Sequence, residues 1–190
     1  MKISIFGLGY VGCVSAACFA KEGHEVVGVD VSTNKVEIIN NGGSPIVEPG
    51  IAELIAEATA SGRLKATTNS AEAIAASDVS LICVGTPSNA NGSLDLRYVK
   101  RVCEEIGASL KLKDERHIVV IRSTMLPGTI ENVVIPALEQ TSGKKAQSDF
   151  GVCINPEFLR EGTSLKDFYA PPFTLIGADD EMVAASVRRL

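Results

Sequence analysis

The feature that most constrains this chain is a hexapeptide, Gly7-Leu8-Gly9-Tyr10-Val11-Gly12, set directly behind the apolar run Ile3-Ser4-Ile5-Phe6. A second apolar run, Val26-Val27-Gly28-Val29, ends on the acidic Asp30. Glycines at this spacing have separate physical tasks. Only a residue without Cβ lets a strand turn tightly into a helix, lets backbone N–H groups reach a ligand, and lets the helix lie close on the strand. Gly7 suits the turn, Gly9 the approach and Gly12 the packing. A helix starting near Tyr10 then points its partial positive end and its unpaired N–H groups at an anion. Asp30, at the tip of the second strand, is placed to accept hydrogen bonds from ribose hydroxyls and to repel a 2′-phosphate. Strand, glycine turn, helix and acid together read as a dinucleotide site, with NAD preferred over NADP. Lys35 stands near the same end and suits the adenosine part of NAD or a phosphate.

The uncharged stretch from Ile3 to Ala20, ending in Ala16-Ala17-Cys18, also has the outline of an export signal. The glycines fall in its middle and the sheet pattern continues beyond it, so it reads as strand, turn and helix. No other long uncharged stretch exists to span a membrane, and a net charge of -5 speaks against a nucleic-acid surface. Five cysteines, Cys13, Cys18, Cys83, Cys103 and Cys153, are odd in number, lack CxxC spacing and sit in apolar patterns. They read as buried free thiols of a cytoplasmic protein, with no metal site. His24 and His117 each open an expected strand, where a surface or turn role is the default.

Apolar, β-branched runs alternate with helical patterns, the mark of βαβ units and a parallel sheet. The fold class expected is α/β, a doubly wound, Rossmann-like parallel sheet. Strands are predicted at 2–6, 25–30, 64–67, 79–84, 117–121, 150–154 and 174–176. Helices are predicted at 10–22, 33–40, 50–61, 71–76, 96–110, 129–138 and 181–190. The last helical pattern reaches Leu190 without a cap, so the chain reads as part of a longer polypeptide.

In an open parallel sheet, ligands bind at the carboxyl ends of the strands. After the fourth strand comes Gly85-Thr86-Pro87, where Thr86 can bond a ribose or phosphate oxygen; an ordinary turn is the alternative. After the fifth comes Arg122-Ser123-Thr124-Met125-Leu126-Pro127-Gly128-Thr129. Here Thr129 is expected to cap the next helix, and Thr124, nearest the strand end, to hold a nicotinamide or a catalytic water. After the sixth comes Asn155-Pro156-Glu157-Phe158-Leu159-Arg160-Glu161-Gly162. Glu157 and Glu161 share one face if this stretch is helical, with Arg160 beside them to neutralise one. A solvated helix face competes there with acid-base or substrate-binding work.

Taken together, GLGYVG, the segment Ser44-Pro45-Ile46-Val47-Glu48-Pro49-Gly50, CVGTP, RSTMLPGT and NPEFLREG resemble the nucleotide-sugar 6-dehydrogenases, the family of UDP-glucose and GDP-mannose dehydrogenases. The string Gly143-Lys144-Lys145, the RST-x-LPGT loop and residues 88–96 are most similar to its GDP-mannose branch, whereas UDP-glucose members tend to carry tyrosine at the position of Val47. The resemblance implies oxidation of a sugar's primary alcohol to a carboxylate by two hydride transfers to NAD, through an aldehyde captured by a cysteine and a thioester. It implies that Tyr10, Val11, Asp30, Lys35, Thr86 and Thr124, with Gly7, Gly9 and Gly12, contact NAD. It gives Glu161 and the Leu159 backbone to a nucleotide-sugar substrate, GDP-mannose favoured, and offers Thr124, Glu157 and Glu161 for catalysis. Which of Glu157 and Glu161 is the base stays open.

The family's nucleophilic cysteine lies in a Gly- and Lys-containing motif that none of the five cysteines matches. Residues 1–190 are therefore expected to be an N-terminal dinucleotide-binding domain, with central helix and C-terminal domain outside this chain. Alone, the chain is expected to bind NAD without turning over substrate. The parent protein is expected to be a homodimer or larger and to supply GDP-mannuronate for an alginate-like polysaccharide. The rival readings are a UDP-hexose dehydrogenase, a 3-hydroxyacid or 6-phosphogluconate-type dehydrogenase (disfavoured by Val11, where that group carries methionine) and a non-catalytic NAD-binding module.

Overall fold

Short apolar runs and longer helical patterns interleave along the sequence, and each run becomes a strand whose two faces are covered by the helices around it. In the computed structural model, which describes residues 1–190, the order is β1 (Lys2–Phe6), α1 (Tyr10–Lys21), β2 (Glu25–Val29), α2 (Thr33–Asn40), α3 (Ile51–Ala60), β3 (Leu64–Thr67), α4 (Ser70–Ala75) and β4 (Val79–Ile82). There follow α5 (Arg97–Leu110), β5 (His117–Ile121), a π-helical turn (Ile130–Val134) running into α6 (Ile135–Ser142), β6 (Phe150–Ile154), α7 (Ser164–Tyr169) and α8 (Glu181–Val187).

All six strands are parallel in the order β3-β2-β1-β4-β5-β6. The chain winds outward one way from β1 through β2 to β3, then returns to the other side of β1 and winds through β4, β5 and β6. This reversal between β1 and β4 opens a crevice at their carboxyl ends. Ile3, Ile5, Val26, Leu64 and Leu81 pack on the face that carries α1 and α3. Phe6, Val27, Ile82, Val119 and Ile121 pack on the other face, against α5 and α6. Burial on both faces is why β1, β2, β4 and β5 read as nearly unbroken apolar runs, whereas β3, at the sheet edge, leaves Lys65 exposed.

α1 lies over the middle of the sheet, and its residues from Gly12 to Ala20 are all buried. A helix enclosed on every side has no face for charge, which explains the uncharged, signal-like appearance of this stretch.

Several expectations fail. Residues 174–176 form no strand; beside β6 there is only a single antiparallel bridge, Ile154 to Gly177. Thr174 and Leu175 are exposed, so the apolar pattern there never gains the second covered face that a sheet strand needs. α7 was not foreseen. Thr129 occupies the N-cap position, but its side chain caps nothing, because the helix opens with a π turn in which Asn132 Nδ2 donates to the Gly128 carbonyl at 2.7 Å. His24 is partly exposed and bonded to the N-terminal amine at 3.1 Å. His117 instead is fully buried, its Nε2 2.7 Å from the Ser80 hydroxyl, which pairs in turn with Ser4 at 2.6 Å. Serines on neighbouring central strands give the ring a partner inside the core, a cross-strand relation that local sequence does not display.

Candidate functional site

The glycine turn is built as its spacing requires. Gly7 has φ +96°, a left-handed value that a side chain resists, and its N–H donates to the Val29 carbonyl at 2.8 Å. A Cβ on Gly12 would overlap the carbonyl oxygen of Gly7, so only glycine lets α1 start this close to the turn. Space over Gly9 is open. Gly9 is also the N-cap of α1 and has no side chain to satisfy the first-turn N–H groups, which are left facing that space.

Asp30 turns toward the crevice and is only slightly exposed. Its carboxylate accepts from Leu8 N–H at 2.8 Å, Ser32 N–H at 2.9 Å and Lys35 Nζ at 3.2 Å. Acid and turn are thereby locked together, and Lys35 sits where the sequence put it, beside Asp30. A cavity of about 510 Å³ runs over Asp30, Lys35, Gly7 and Gly9 to Gly85 and Tyr98. A second, of about 320 Å³, continues from Gly9 and Gly85 past Tyr10, Val11 and Thr86 to Thr124 and Glu157. Gly9, Cys83, Val84 and Gly85 border both, so the two form one groove across the reversal point of the sheet. A third cavity, of about 400 Å³, shares Arg122 and Glu157 with the second and reaches Leu159.

The candidates thus gather at one edge. Thr86 Oγ1 donates to the Thr124 carbonyl at 2.9 Å, pinning two strand-end loops to each other. Glu157 stands at the junction of the second and third cavities and accepts from Leu159 N–H at 2.6 Å. Residues 155–160 are not helical, however, so Glu157 and Glu161 share no helix face. Glu161 is exposed and borders none of the three cavities. Arg160 neutralises neither acid: it pairs with buried Asp167 at 2.7 Å, and that guanidinium holds the Asp167 carboxyl well below the usual carboxylate range. Pro156 after Asn155 biases the loop start away from helix, and Asp167 supplies a stronger partner than Glu161.

None of the five cysteines is available as a nucleophile. All are buried and free, and burial raises Cys13, Cys83 and Cys103 to about 12 and Cys18 and Cys153 to about 11. Cys83 lies under the groove, but as a neutral thiol.

Two residues at this edge escaped the sequence reading of roles. Arg122 donates to Asn155 Oδ1 at 2.6 Å, stacks its guanidinium about 6.0 Å from the rings of Phe19 and Phe168, and joins the fifth and sixth strand-end loops. Glu48 is buried and bonded to the loop after β6. The available signal for Glu48 was a lone acid in an apolar segment bounded by prolines. No helix of the chain is long and apolar enough to cross a membrane.

Known proteins share this arrangement. Over 190 residues the chain is 60% identical to the GDP-mannose 6-dehydrogenase of Azotobacter vinelandii, covering 100% of this chain and 43% of that protein. It is 44% identical over 181 residues to a UDP-glucose 6-dehydrogenase of Haloferax volcanii, 95% of this chain and 42% of the relative. The crystal structure of a ternary complex of GDP-mannose dehydrogenase from Pseudomonas aeruginosa superposes with a TM-score of 0.98 at 57% identity, over 100% of this chain and 43% of that one. The chain thus spans somewhat over two fifths of the length of these relatives. The model of the UDP-glucose/GDP-mannose dehydrogenase family, NAD binding domain, matches residues 1–190, and the chain belongs to that family as a Rossmann-like NAD-binding domain.

Proposed function

We propose that this chain is the N-terminal, cofactor-holding domain of an NAD-dependent GDP-mannose 6-dehydrogenase, which oxidises the sugar's primary alcohol to a carboxylate. The observation that carries the reading is the unbroken groove from Asp30 across Gly9 to Thr124 and Glu157. Its lining offers in succession an acid, a glycine turn at a helix start and a hydroxyl beside a second acid, an order that suits an extended dinucleotide whose reactive end stops beside a proton acceptor. NAD, when bound there, supplies the hydride acceptor. The chain's own residues hold it: Asp30 and Lys35 at the adenosine ribose, the N–H groups behind Gly9, Tyr10 and Val11 at the pyrophosphate, Thr86 and Thr124 toward the nicotinamide. Glu157, which borders both inner cavities, is the acid assigned here to take a proton from water, with Glu161 as the alternative. Leu159 and Glu161 orient the nucleotide sugar. All five thiols are held neutral by burial, so the cysteine that the family resemblance implies for capture of the aldehyde is assigned to the polypeptide outside residues 1–190.

GDP-mannose is preferred over a UDP-hexose because the chain is 60% identical to a named GDP-mannose enzyme and 44% to a named UDP-glucose enzyme. A homodimeric, cytoplasmic parent feeding an acidic polysaccharide goes with this assignment. The test is the full-length polypeptide with NAD and either GDP-mannose or UDP-glucose, followed by NADH absorbance. Two hydride equivalents per GDP-mannose and little from UDP-glucose are expected; the reverse preference, or no NADH from either, overturns the proposal.

A further inference from the structure

The loop after β6 carries Glu157, Leu159 and Glu161, yet it has no regular structure of its own from 155 to 160. Its backbone polar groups must find partners elsewhere. At its far end the partner is one carboxylate from a segment more than a hundred residues away. Glu48, 8% exposed, accepts from Gly162 N–H at 2.8 Å through Oε2, and from Ser164 N–H at 2.9 Å and the Ser164 hydroxyl at 2.8 Å through Oε1. Ser164 is itself fully buried, and Gly162 has φ +86°. Just before this, the Tyr10 hydroxyl donates to the Arg160 carbonyl at 3.1 Å, and Asp167 accepts from Arg160 N–H at 3.0 Å. Glu161 is therefore the one residue suspended between two fixed neighbours.

We infer that Glu48 is a positioning residue: its carboxylate fixes the Gly162–Ser164 backbone and so presets Glu161 and the preceding loop for the nucleotide sugar. It borders none of the three groove cavities and reaches the substrate only through the loop. The inference rests on the nucleotide-sugar reading for its consequence in turnover, but not for the loop geometry.

Both oxygens of Glu48 are used as acceptors for three donors at once, an arrangement that favours the ionised form. Burial acts to raise its pKa, but the N–H groups of Gly162 and Ser164, with the Ser164 hydroxyl, outweigh burial and hold it at about 2. The loop is thus tied down throughout the neutral range.

Glu48→Gln keeps the shape and turns one acceptor oxygen into a donor that faces donors. Hydrogen exchange on the 190-residue chain is expected to show the Gly162 and Ser164 amides exchanging at least tenfold faster in the variant, with the β1 and β4 amides unchanged and NAD affinity within twofold. In the full-length polypeptide, KM for the nucleotide sugar is expected to rise roughly tenfold or more while kcat changes by less than about threefold. A variant that merely folds less well would instead lower kcat in proportion and loosen β1 and β4. Ser164→Ala, which removes one donor and leaves the carboxylate, keeps the amide protection within about threefold. Unaltered exchange at Gly162 and Ser164 overturns the positioning role. Faster exchange with an unaltered KM overturns its link to substrate. If wild-type protein turns over no nucleotide sugar, it is the functional reading that falls, and the exchange result stands separately.

Discussion

Asp30→Asn is the sharpest single test of the dinucleotide groove. The aspartate offers two oxygens, and three protein donors already use them: Leu8 N–H, Ser32 N–H and Lys35 Nζ. A carboxylate has about four lone-pair positions, which leaves capacity for a ribose hydroxyl; an asparagine has one acceptor oxygen and presents two donors in place of the other. The hydrogen bonds to ribose that depend on the charged acceptor are each worth about 1.5–3 kcal/mol, so NAD affinity should fall about 10- to 150-fold. Stability should also fall, by about 1–3 kcal/mol, because at least one of the two N–H groups is left without an acceptor. The Asp30–Lys35 pair adds little to that loss, since Lys35 is 37% exposed and such pairs are worth about 0–1 kcal/mol.

The same substitution removes the charge that repels a 2′-phosphate and frees Lys35 to meet one, so the NADP-to-NAD affinity ratio should rise at least tenfold. Calorimetric titration of wild type and variant with both cofactors, beside their thermal unfolding curves, measures each quantity. NAD binding within twofold of wild type in a folded variant would refute the placement of ribose at Asp30, and with it the direction assigned to the groove.

Gly12→Ala forces α1 away from the Gly7 carbonyl and should cost about 1–3 kcal/mol of stability through overpacking, with NAD affinity lost before the fold is; a urea titration and a binding isotherm on the same sample check this. His117 makes stability depend on pH. Burial, aided by the charge of Lys113, pushes its pKa from 6.5 down to about 3, so the unfolded chain takes up a proton that the folded chain refuses. That contribution is complete above pH 6.5 and declines as pH falls toward 3, reaching a loss of about 2 kcal/mol near pH 5. His117→Gln should flatten the pH 5 to 6.5 part of the stability profile, and an unchanged slope would rule out a neutral buried ring. The five thiols, raised to about 11 or 12, should hold roughly 100- to 1,000-fold less thiolate near pH 8 in the native chain than in urea, and react with a disulfide reagent at least roughly tenfold more slowly. A fast burst of one equivalent would contradict the burial of Cys83.

What could be read from the sequence divides by the distance over which the cause acts. Five of the strands predicted at 2–6, 64–67, 117–121 and 150–154, and at 25–30 give or take one residue, coincide with β1, β3, β5, β6 and β2, because each depends on a run of neighbouring side chains and a nearby turn. The GLGYVG turn and Asp30 were legible for the same reason: strand, glycines and helix are contiguous, and the acid follows one helix later. For the loop after β6, the 157–161 spacing offers a shared face only on the condition of a helix, and none forms. Its shape is set instead by Asp167, Tyr10 and Glu48, the last acting across 114 and 116 positions of sequence. His117 failed likewise, since its partner Ser80 lies 37 residues earlier on a strand that is adjacent only once the sheet has formed. Spacing rules describe which face a side chain takes, whereas a buried polar group is decided by which distant donor or acceptor arrives opposite it. Glu48 illustrates the difference: in isolation an acid between Val47 and Pro49 is a candidate for solvent, and only the arrival of two N–H groups and a hydroxyl from the far end of the chain makes its burial favourable. The part of the groove built from one contiguous βαβ unit was therefore open to sequence reasoning, and the loop after β6, fixed by residues more than a hundred positions away, was not.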